Sequence, residues 1–220
     1  MTPQFNMQDP YFLIFLLAGL SLAPFIVVMV TSYVKLVVVF SLIRNALGIQ
    51  QIPPNMVING LAVILSIYIM APVGYQMYQI VQESPFEKAD FGGSLKEIAP
   101  KVVEPLRKFL EKHSTEKERQ FFLKSARKLW TKERAEKLSE GDLLVLIPSF
   151  AVGELTSAFQ IGFLIYLPFV VIDLVISNIL MAMGMMMVSP MTISLPFKLL
   201  LFVLLDGWTK LIHGLVLSYA

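Results

Sequence analysis

Cysteine is absent from this chain of 220 residues, and histidine occurs only twice. Without cysteine the chain forms no disulfide and offers no thiolate to a metal, so the redox compartment stays undecided. Charged residues make up only 15% of the sequence, and the net charge of +2 is too small to predict a nucleic-acid partner.

Catalytic motifs are missing as well. The sequence contains no phosphate-binding Gly-x-x-x-x-Gly-Lys loop, no Gly-x-Ser-x-Gly nucleophile elbow and no His-Glu-x-x-His zinc motif. The two histidines, His113 and His213, lie far apart in the sequence and are best explained as surface or packing residues. We therefore expect a protein that is not an enzyme, with no catalytic, cofactor-binding or metal-binding residues.

Apolar residues dominate what remains, at 56% of the sequence. Two charge-free runs, 11–34 and 56–81, each exceed the ~20 residues that a helix needs to cross a bilayer. No basic residue precedes Lys35, and the first apolar run is too long for the core of a signal peptide, so we expect no cleaved leader. We expect Lys35 and Arg44 to snorkel to the membrane interface. The composition predicts an all-α, membrane-associated protein.

Charge divides the chain into three segments. Residues 83–142 hold 26 of the 34 charged residues, and the spacing of their apolar side chains predicts short amphipathic helices. We predict an N-terminal apolar helical hairpin (1–82), a polar helical insert (83–142) and a C-terminal apolar helical hairpin with a methionine-rich loop (143–220). A basic stretch at 124–137 either forms a solvated face, the commoner case, or contacts anionic lipid. The insert is long and almost neutral, so the membrane orientation stays undetermined.

Proline and glycine indicate where the apolar segments turn. The stretch RNALGIQQIPPN (44–55) predicts a break between the first two apolar helices. In the second half we predict helices over about 155–182 and 196–217, joined by a turn within 184–196, because proline kinks or ends a helix. The prolines assigned to the two hairpin turns are Pro53, Pro54, Pro190 and Pro196.

Eight charged residues lie outside the insert, and four of them are candidates for a polar interior or for subunit contacts. A charge at mid-bilayer costs ~2.5–3.5 kcal/mol on insertion scales, so such a group usually faces protein or water. For Glu154 and Asp173 the alternative is a position near a helix end, solvated at the interface. Asp206 and Lys210 have the i, i+4 spacing of an ion pair on one helix.

Methionine is concentrated in the second half. Six of the twelve methionines fall within MAMGMMMVSPM (181–191). Met185, Met186 and Met187 are consecutive and lie between a glycine and a proline, so they cannot all face one side of a helix. Ordinary core packing is one explanation. The other is a loop that faces a pore, because flexible thioethers adapt to changing surfaces and an apolar constriction closes by dewetting.

Two long blocks resemble the SctR/FliP family, the export-gate proteins of type III secretion systems in injectisomes and flagella. They read TSYVKLVVVFSLIRNALGIQQIPPNMVINGLAVILSIYIMAPVG (31–74) and FLIYLPFVVIDLVISNILMAMGMMMVSPMTISLPFKLLLFVLLDGWTKL (163–211). The resemblance covers both apolar halves, and the insert is much less diagnostic. RNALGIQQIPPNM and the expected absence of a leader are more similar to the injectisome branch, the SctR/YscR-like proteins, than to flagellar FliP.

The resemblance implies an assembly in the bacterial inner membrane. Family members form a pentamer with SctS/FliQ-like and SctT/FliR-like subunits, in a helical funnel that is raised from the membrane toward the periplasm. The funnel passes unfolded secreted proteins, and the resemblance implies that Met185, Met186 and Met187 form a gasket around its pore. The chain would then contact lipid, partner subunits and secreted proteins, and would use no cofactor.

One short segment departs from the family pattern. In GELTSAF (153–159), relatives carry a lysine or arginine within two residues of the Glu-Leu pair, where this chain has Thr156 and Ser157. A local ion pair for Glu154 is therefore in doubt, and a contact with a neighbouring subunit is expected instead.

Two other functions fit the apolar halves. A small-molecule or ion carrier is favoured by a weak internal repeat, APFIVV (23–28) and LPFVVI (167–172). A structural membrane scaffold without a pore is the second. A carrier works alone or as a small oligomer, whereas an export gate co-purifies in a large complex of fixed composition, so native mass separates them.

Overall fold

The computed structural model describes residues 10–49, 51–84, 91–185 and 187–220, and within them it contains helices and no strands. The all-α prediction is confirmed. In chain order the helices are α1 (Pro10–Val30), α2 (Tyr33–Ala46), α3 (Asn55–Glu83), α4 (Phe91–His113), α5 (Glu116–Leu129), α6 (Lys132–Ala135), α7 (Leu143–Ala182), α8 (Pro190–Leu204) and α9 (Gly207–Leu217).

Two helices in the described part of the chain are long and apolar enough to cross a membrane by length and composition. They are α3, with 29 residues, and α7, with 40 residues. Two further candidates consist of bent helix pairs, Leu17–Val30 with α2 and α8 with α9. The axes of α8 and α9 are bent by 58°. The number of possible spans is therefore two to four.

The chain divides into two compact units. Unit 1 comprises Met1–Ser32 and Met70–Gly153, and unit 2 comprises Tyr33–Ile69 and Glu154–Ala220. The long helices α3 and α7 each contribute to both units. The division of the chain at 82/83 and 142/143, drawn from charge alone, stays a prediction.

Unit 1 has a small core that joins the polar insert to the first turns of α7. Leu110 of α4 is fully buried, as are Leu146 and Phe150 of α7. The rings of Phe109 and Phe150 lie 5.7 Å apart in a tilted arrangement. Because an amphipathic helix is stabilised mainly by burial of its apolar face, this contact accounts for α4 within a segment rich in charge.

Unit 2 has the larger core, with α2 at its centre. Leu36 and Phe40 of α2 are completely buried. The ring of Trp208 lies edge-on to Phe40 at 6.1 Å and edge-on to Phe202 at 5.5 Å, the geometry that aromatic pairs favour. These contacts hold α8 and α9 against α2.

A glycine permits α2 and α7 to approach closely inside unit 2. A Cβ atom on Gly162 would lie 2.3 Å from Cδ1 of Leu42 and 3.1 Å from its Cβ. A Cβ atom does not lie 2.3 Å from another carbon, so a larger residue at 162 would require the side chain of Leu42 to turn away and its Cβ to yield slightly.

Two helix bounds differ from the sequence prediction. Helix α7 begins at Leu143 and continues through Pro168, so the predicted start near residue 155 is wrong. A proline inside a helix removes one hydrogen bond, and neighbouring helices compensate for such a loss in apolar surroundings. The predicted helix over 196–217 is two helices, because Asp206 has φ +50°, a left-handed conformation that cannot continue an α-helix.

Candidate functional site

The methionine-rich loop begins where α7 ends in a cap that requires glycine. Gly184 has φ +73°. Its N–H donates to the carbonyl of Met181 at 3.0 Å, and the N–H of Met185 donates to the carbonyl of Leu180 at 2.9 Å. This pair of bonds is the Schellman motif, in which a left-handed residue stops the helix. Glycine adopts this backbone without strain, so its place in the sequence determines where the loop starts.

The loop ends at a proline. Ser189 is extended, and Pro190 is the first residue of α8. Proline is favoured at a helix start because the first N–H groups of a helix have no acceptor within it. The helix begins at Pro190, so Pro196 lies inside α8 and not in the turn to which it was assigned. The turn between α7 and α8 thus covers 183–189.

The described methionine side chains of this turn are not packed within the chain. Met183, Met185 and Met187 are exposed. The third residue of the predicted gasket triplet, Met186, lies outside the described residues. The N–H of Val188 donates to the carbonyl of Met185 at 3.2 Å, so backbone bonds rather than methionine packing hold the turn.

A buried lysine joins the two helices that carry the loop. Nζ of Lys198 in α8 lies 2.6 Å from Oδ2 of Asp173 in α7. The hydroxyl of Ser194 donates to Oδ1 of the same carboxylate at 2.6 Å. Lys198 also donates to the carbonyl of Ala46 at 3.4 Å, at the negative end of the α2 dipole. The side chain of Lys198 is 3% exposed and that of Asp173 is 36% exposed.

This ion pair fastens the hairpin at a distance from its tip. Asp173 precedes the end of α7 by about as many residues as Lys198 follows the start of α8. At 1.5 Å per residue, the pair lies roughly 13 Å from either end of the loop. It therefore fixes the spacing of the two helices without taking part in the loop itself.

A second buried cluster lies elsewhere in unit 2. Nζ of Lys35 in α2 lies 2.9 Å from Oε1 of Glu154 in α7, and both side chains are almost completely buried. The hydroxyl of Tyr219 donates to Oε2 of Glu154. Nζ of Lys35 also lies 4.2 Å from the centre of the Tyr219 ring, within reach of a cation–π interaction.

The proton of Tyr219 stays on the phenol. Tyr219 lies beyond the end of α9, and burial, together with the charge of Glu154, raises the pKa of its hydroxyl. The group is therefore a hydrogen-bond donor to the carboxylate. Both oxygens of Glu154 are thus occupied by partners in the same chain.

One expectation about these charges is wrong. Lys35 does not snorkel to an interface, because it is buried against Glu154. Glu154 has an ion-pair partner within the chain, although Thr156 and Ser157 replace the expected cation. The missing charge is supplied by α2, which lies next to α7 in the fold and far from it in sequence.

The predicted break at 44–55 contains a polar contact of its own. Arg44 donates to the side-chain oxygen of Asn55, and to the carbonyl of Pro53 at 3.4 Å. Pro53, which follows a cis peptide bond, and Pro54 lie between α2 and α3. Arg44 is half-buried in this contact, and its snorkelling stays a prediction.

The remaining candidate pair is not formed. Within the described residues, no ion pair joins Asp206 to Lys210. Asp206 precedes α9 in a left-handed conformation, and its carbonyl accepts a hydrogen bond from the N–H of Lys210 at 3.0 Å. The i, i+4 rule applies to one continuous helix, and the helix break at Asp206 removes that geometry.

Sequence reasoning missed four members of the two clusters, although a signal was present. The apolar halves contain only a few acidic and basic residues, and burial in apolar surroundings requires that such charges pair with one another. Matching them as sets, rather than by local spacing, predicts that Glu154 and Asp173 have basic partners elsewhere in the apolar halves, although it does not select which ones. The members missed are Lys35, Lys198, Ser194 and Tyr219.

Acidic and histidine side chains do not converge on a common point. In the part of the chain that the structure describes, no group of three or more His, Asp or Glu residues is placed to hold a metal ion.

Known proteins match the chain over almost all of its length. A sequence model of the FliP family matches residues 16–215. The chain is 58% identical to "Yop proteins translocation protein R" of Yersinia pestis over 214 residues, which cover 97% of this chain and 98% of that protein. It is 51% identical to "Virulence protein YscR" of Salmonella typhimurium over 213 residues, 97% and 98% of the two chains. It is 50% identical to "Hypersensitivity response secretion protein HrcR" of Ralstonia nicotianae over 210 residues, 94% and 96%.

Proposed function

This chain belongs to the FliP family, and on that premise we propose that it is an export-gate subunit of a type III secretion system in the bacterial inner membrane. One observation carries the proposal: identity of 58% over 97% of the chain to a protein named for the translocation of Yop proteins. The other relatives are named for virulence and for secretion in the hypersensitivity response, which supports the injectisome branch.

The methionine-rich loop supplies the gate. Met183, Met185 and Met187 are exposed at the tip of a hairpin whose helices are joined by the ion pair of Asp173 and Lys198. Five copies of the chain bring Met185, Met186 and Met187 together around one axis, where flexible apolar side chains close the pore by excluding water. An unfolded protein displaces them as it passes, and they close again behind it.

The chain acts in this proposal as a passive conduit within a larger complex. It assembles as a pentamer with SctS/FliQ-like and SctT/FliR-like subunits, spans or enters the inner membrane several times, and is raised toward the periplasm. It catalyses no reaction. Many large apolar side chains on α1, α3 and α7 are exposed in the isolated chain, as expected of surfaces that contact other subunits or lipid.

A small-molecule or ion carrier is the alternative, since carriers place ionisable groups inside the membrane. The described clusters disfavour it. Glu154 and Lys35 neutralise each other, and Lys198 is paired with Asp173, so neither cation is left to bind a transported anion. The relatives are also named for the movement of proteins. A native mass far above that of a small oligomer excludes the carrier.

Replacement of the loop methionines tests the gate directly. We propose the triple variant Met185→Ala, Met186→Ala and Met187→Ala in the assembled system, with ion leak and protein secretion measured together. Met56→Ala is the matched control, because Met56 is an exposed methionine on α3, outside the loop. Leak from the triple variant, with assembly intact and the control tight, supports the seal. Normal secretion without leak contradicts it.

A further inference from the structure

The methionines of the loop are open to chemical attack in a way that buried ones are not. Within the chain, Met183 is 65% exposed, Met185 is 41% exposed and Met187 is 101% exposed. Susceptibility of a methionine sulfur to oxidation increases with its exposure. No other part of the described chain buries these side chains, so in the proposed funnel a small oxidant that enters the pore meets them before any buried methionine.

We propose that the loop is a reversible methionine-oxidation site, and that its oxidation opens the gate. This inference rests on the proposed function, because it assumes that the loop seals a pore. The oxidant is a peroxide or a hypohalous acid. With hydrogen peroxide, a lone pair of the sulfur attacks one oxygen, the O–O bond breaks, an S=O bond forms and water leaves. The sulfur loses two electrons and the peroxide gains them.

Oxidation reverses the property on which the seal depends. A thioether is apolar and flexible, whereas a sulfoxide is polar and accepts hydrogen bonds from water. A constriction that closes by dewetting requires an apolar lining. Sulfoxides around the axis therefore favour a hydrated, conducting pore, and reduction by methionine sulfoxide reductases restores the apolar lining.

The hairpin tolerates this change because the contacts described at its turn are made by backbone atoms. The cap at Gly184 and the bond from Val188 to Met185 involve backbone atoms. The helices on either side are joined by Asp173 and Lys198, roughly 13 Å away. Oxidation therefore alters the surface of the loop without releasing its two ends.

Other exposed methionines provide an internal comparison. Met29 on α1 and Met56 on α3 are also exposed in the isolated chain. They lie within continuous helices, on the apolar surfaces that the proposed function assigns to lipid or neighbouring subunits. Oxidation at these two positions is expected to leave the seal unchanged.

Membrane vesicles that contain the assembled complex test the inference. Hydrogen peroxide is added, the sulfoxide content of each methionine is measured by mass spectrometry, and ion leak is recorded in parallel. We expect sulfoxides in the loop, a leak increased several-fold, and recovery after treatment with methionine sulfoxide reductases of both epimer classes. The decisive variant replaces Met183, Met185, Met186 and Met187 with leucine, which is apolar and resists oxidation. It should stay tight in peroxide, whereas the variant Met29→Leu with Met56→Leu should leak like the wild type.

The outcomes separate this inference from the proposed function. Leak in the peroxide-treated leucine loop variant, or loop sulfoxides without leak, overturns the oxidation switch. Loop methionines that stay unoxidised in peroxide overturn it too. The seal itself is tested without oxidant by the alanine variant. If the alanine variant leaks but the oxidised wild type does not, the seal is supported and only the oxidation switch is refuted. An alanine variant that stays tight refutes the seal.

Discussion

The two acid–base clusters of unit 2 use the same chemistry in different surroundings. Lys35 and Glu154 are both buried, and the hydroxyl of Tyr219 donates a hydrogen bond to the second oxygen of the Glu154 carboxylate. In the other cluster the cation Lys198 is buried, but the side chain of Asp173 is 36% exposed. The difference shows that one cluster is closed within the chain, whereas the other leaves one side of its carboxylate exposed in the isolated chain, roughly 13 Å from the methionine loop.

Burial determines how strongly each cluster responds to the loss of one partner. Removal of one member of a buried ion pair leaves a charge without water or counter-ion, which is strongly unfavourable. A charge that water can reach is solvated, and a pair of exposed charges contributes little. The following variants test this contrast, in order of decreasing expected effect.

Glu154→Ala should destabilise the protein most, by ~3–5 kcal/mol, because it leaves Lys35 buried without a counter-ion. The measurement is thermal unfolding of the detergent-purified complex. The double variant Lys35→Met with Glu154→Leu serves as the control, since it removes both charges and should recover most of the loss. A single variant as stable as the wild type, or a double variant less stable than the single, contradicts the closed cluster.

Asp173→Ala should cost about 3 kcal/mol, because it leaves the buried Lys198 without a counter-ion, with the carbonyl of Ala46 as its remaining partner. The reverse change, Lys198→Met, should cost less, about 1–2 kcal/mol, because the carboxylate left behind is 36% exposed within the chain and keeps the hydroxyl of Ser194. Unfolding of the two single variants in the same detergent gives the comparison. Equal losses would mean that the two sides of the pair are equally buried, against the structure.

Tyr219→Phe should cost about 1.5 kcal/mol, the contribution of a hydrogen bond to a charged group. It keeps the aromatic ring beside Lys35 and removes only the hydroxyl. Tyr219→Leu removes both interactions and should be less stable than Tyr219→Phe by a further ~0.5–1 kcal/mol. Equal unfolding temperatures for the two variants would show that the ring does not interact with Lys35.

Ser194→Ala should have the smallest effect, about 1 kcal/mol, because Asp173 keeps Lys198 when the hydroxyl is lost. The matched control is Ser218→Ala, whose hydroxyl donates to a carbonyl of its own helix region, Leu215, rather than to a carboxylate. The control should be less sensitive than Ser194→Ala. A larger loss from Ser218→Ala than from Ser194→Ala contradicts the assignment of Ser194 to the cluster.

Local pattern was sufficient for the elements whose physics is local. Long apolar runs predicted helices, and glycine followed by proline predicted the turn that holds the methionines. The same reasoning failed at Asp206, where a left-handed residue breaks an uninterrupted apolar pattern. It also placed the start of α7 too late in the sequence, because packing in apolar surroundings supports a helix through its prolines.

The ion pairs depended on contacts that no local spacing reveals. Asp206 and Lys210 have the right spacing and do not pair, whereas Lys35 and Glu154 are far apart in sequence and do. A helix break decides the first case, and the packing of α2 against α7 at Gly162 decides the second. The role of the methionines as a seal remains a prediction, since it depends on neighbouring copies of the chain.

The pairing of Lys35 with Glu154 also imposes an order in time. Ribosomes add ~5–20 residues per second, so the glutamate emerges roughly 6–24 s after the lysine, about 120 residues later. During that interval Lys35 is without the carboxylate that pairs with it in the folded chain. The buried ion pair therefore closes only after the second apolar half has begun to appear, and the first half cannot complete its core alone.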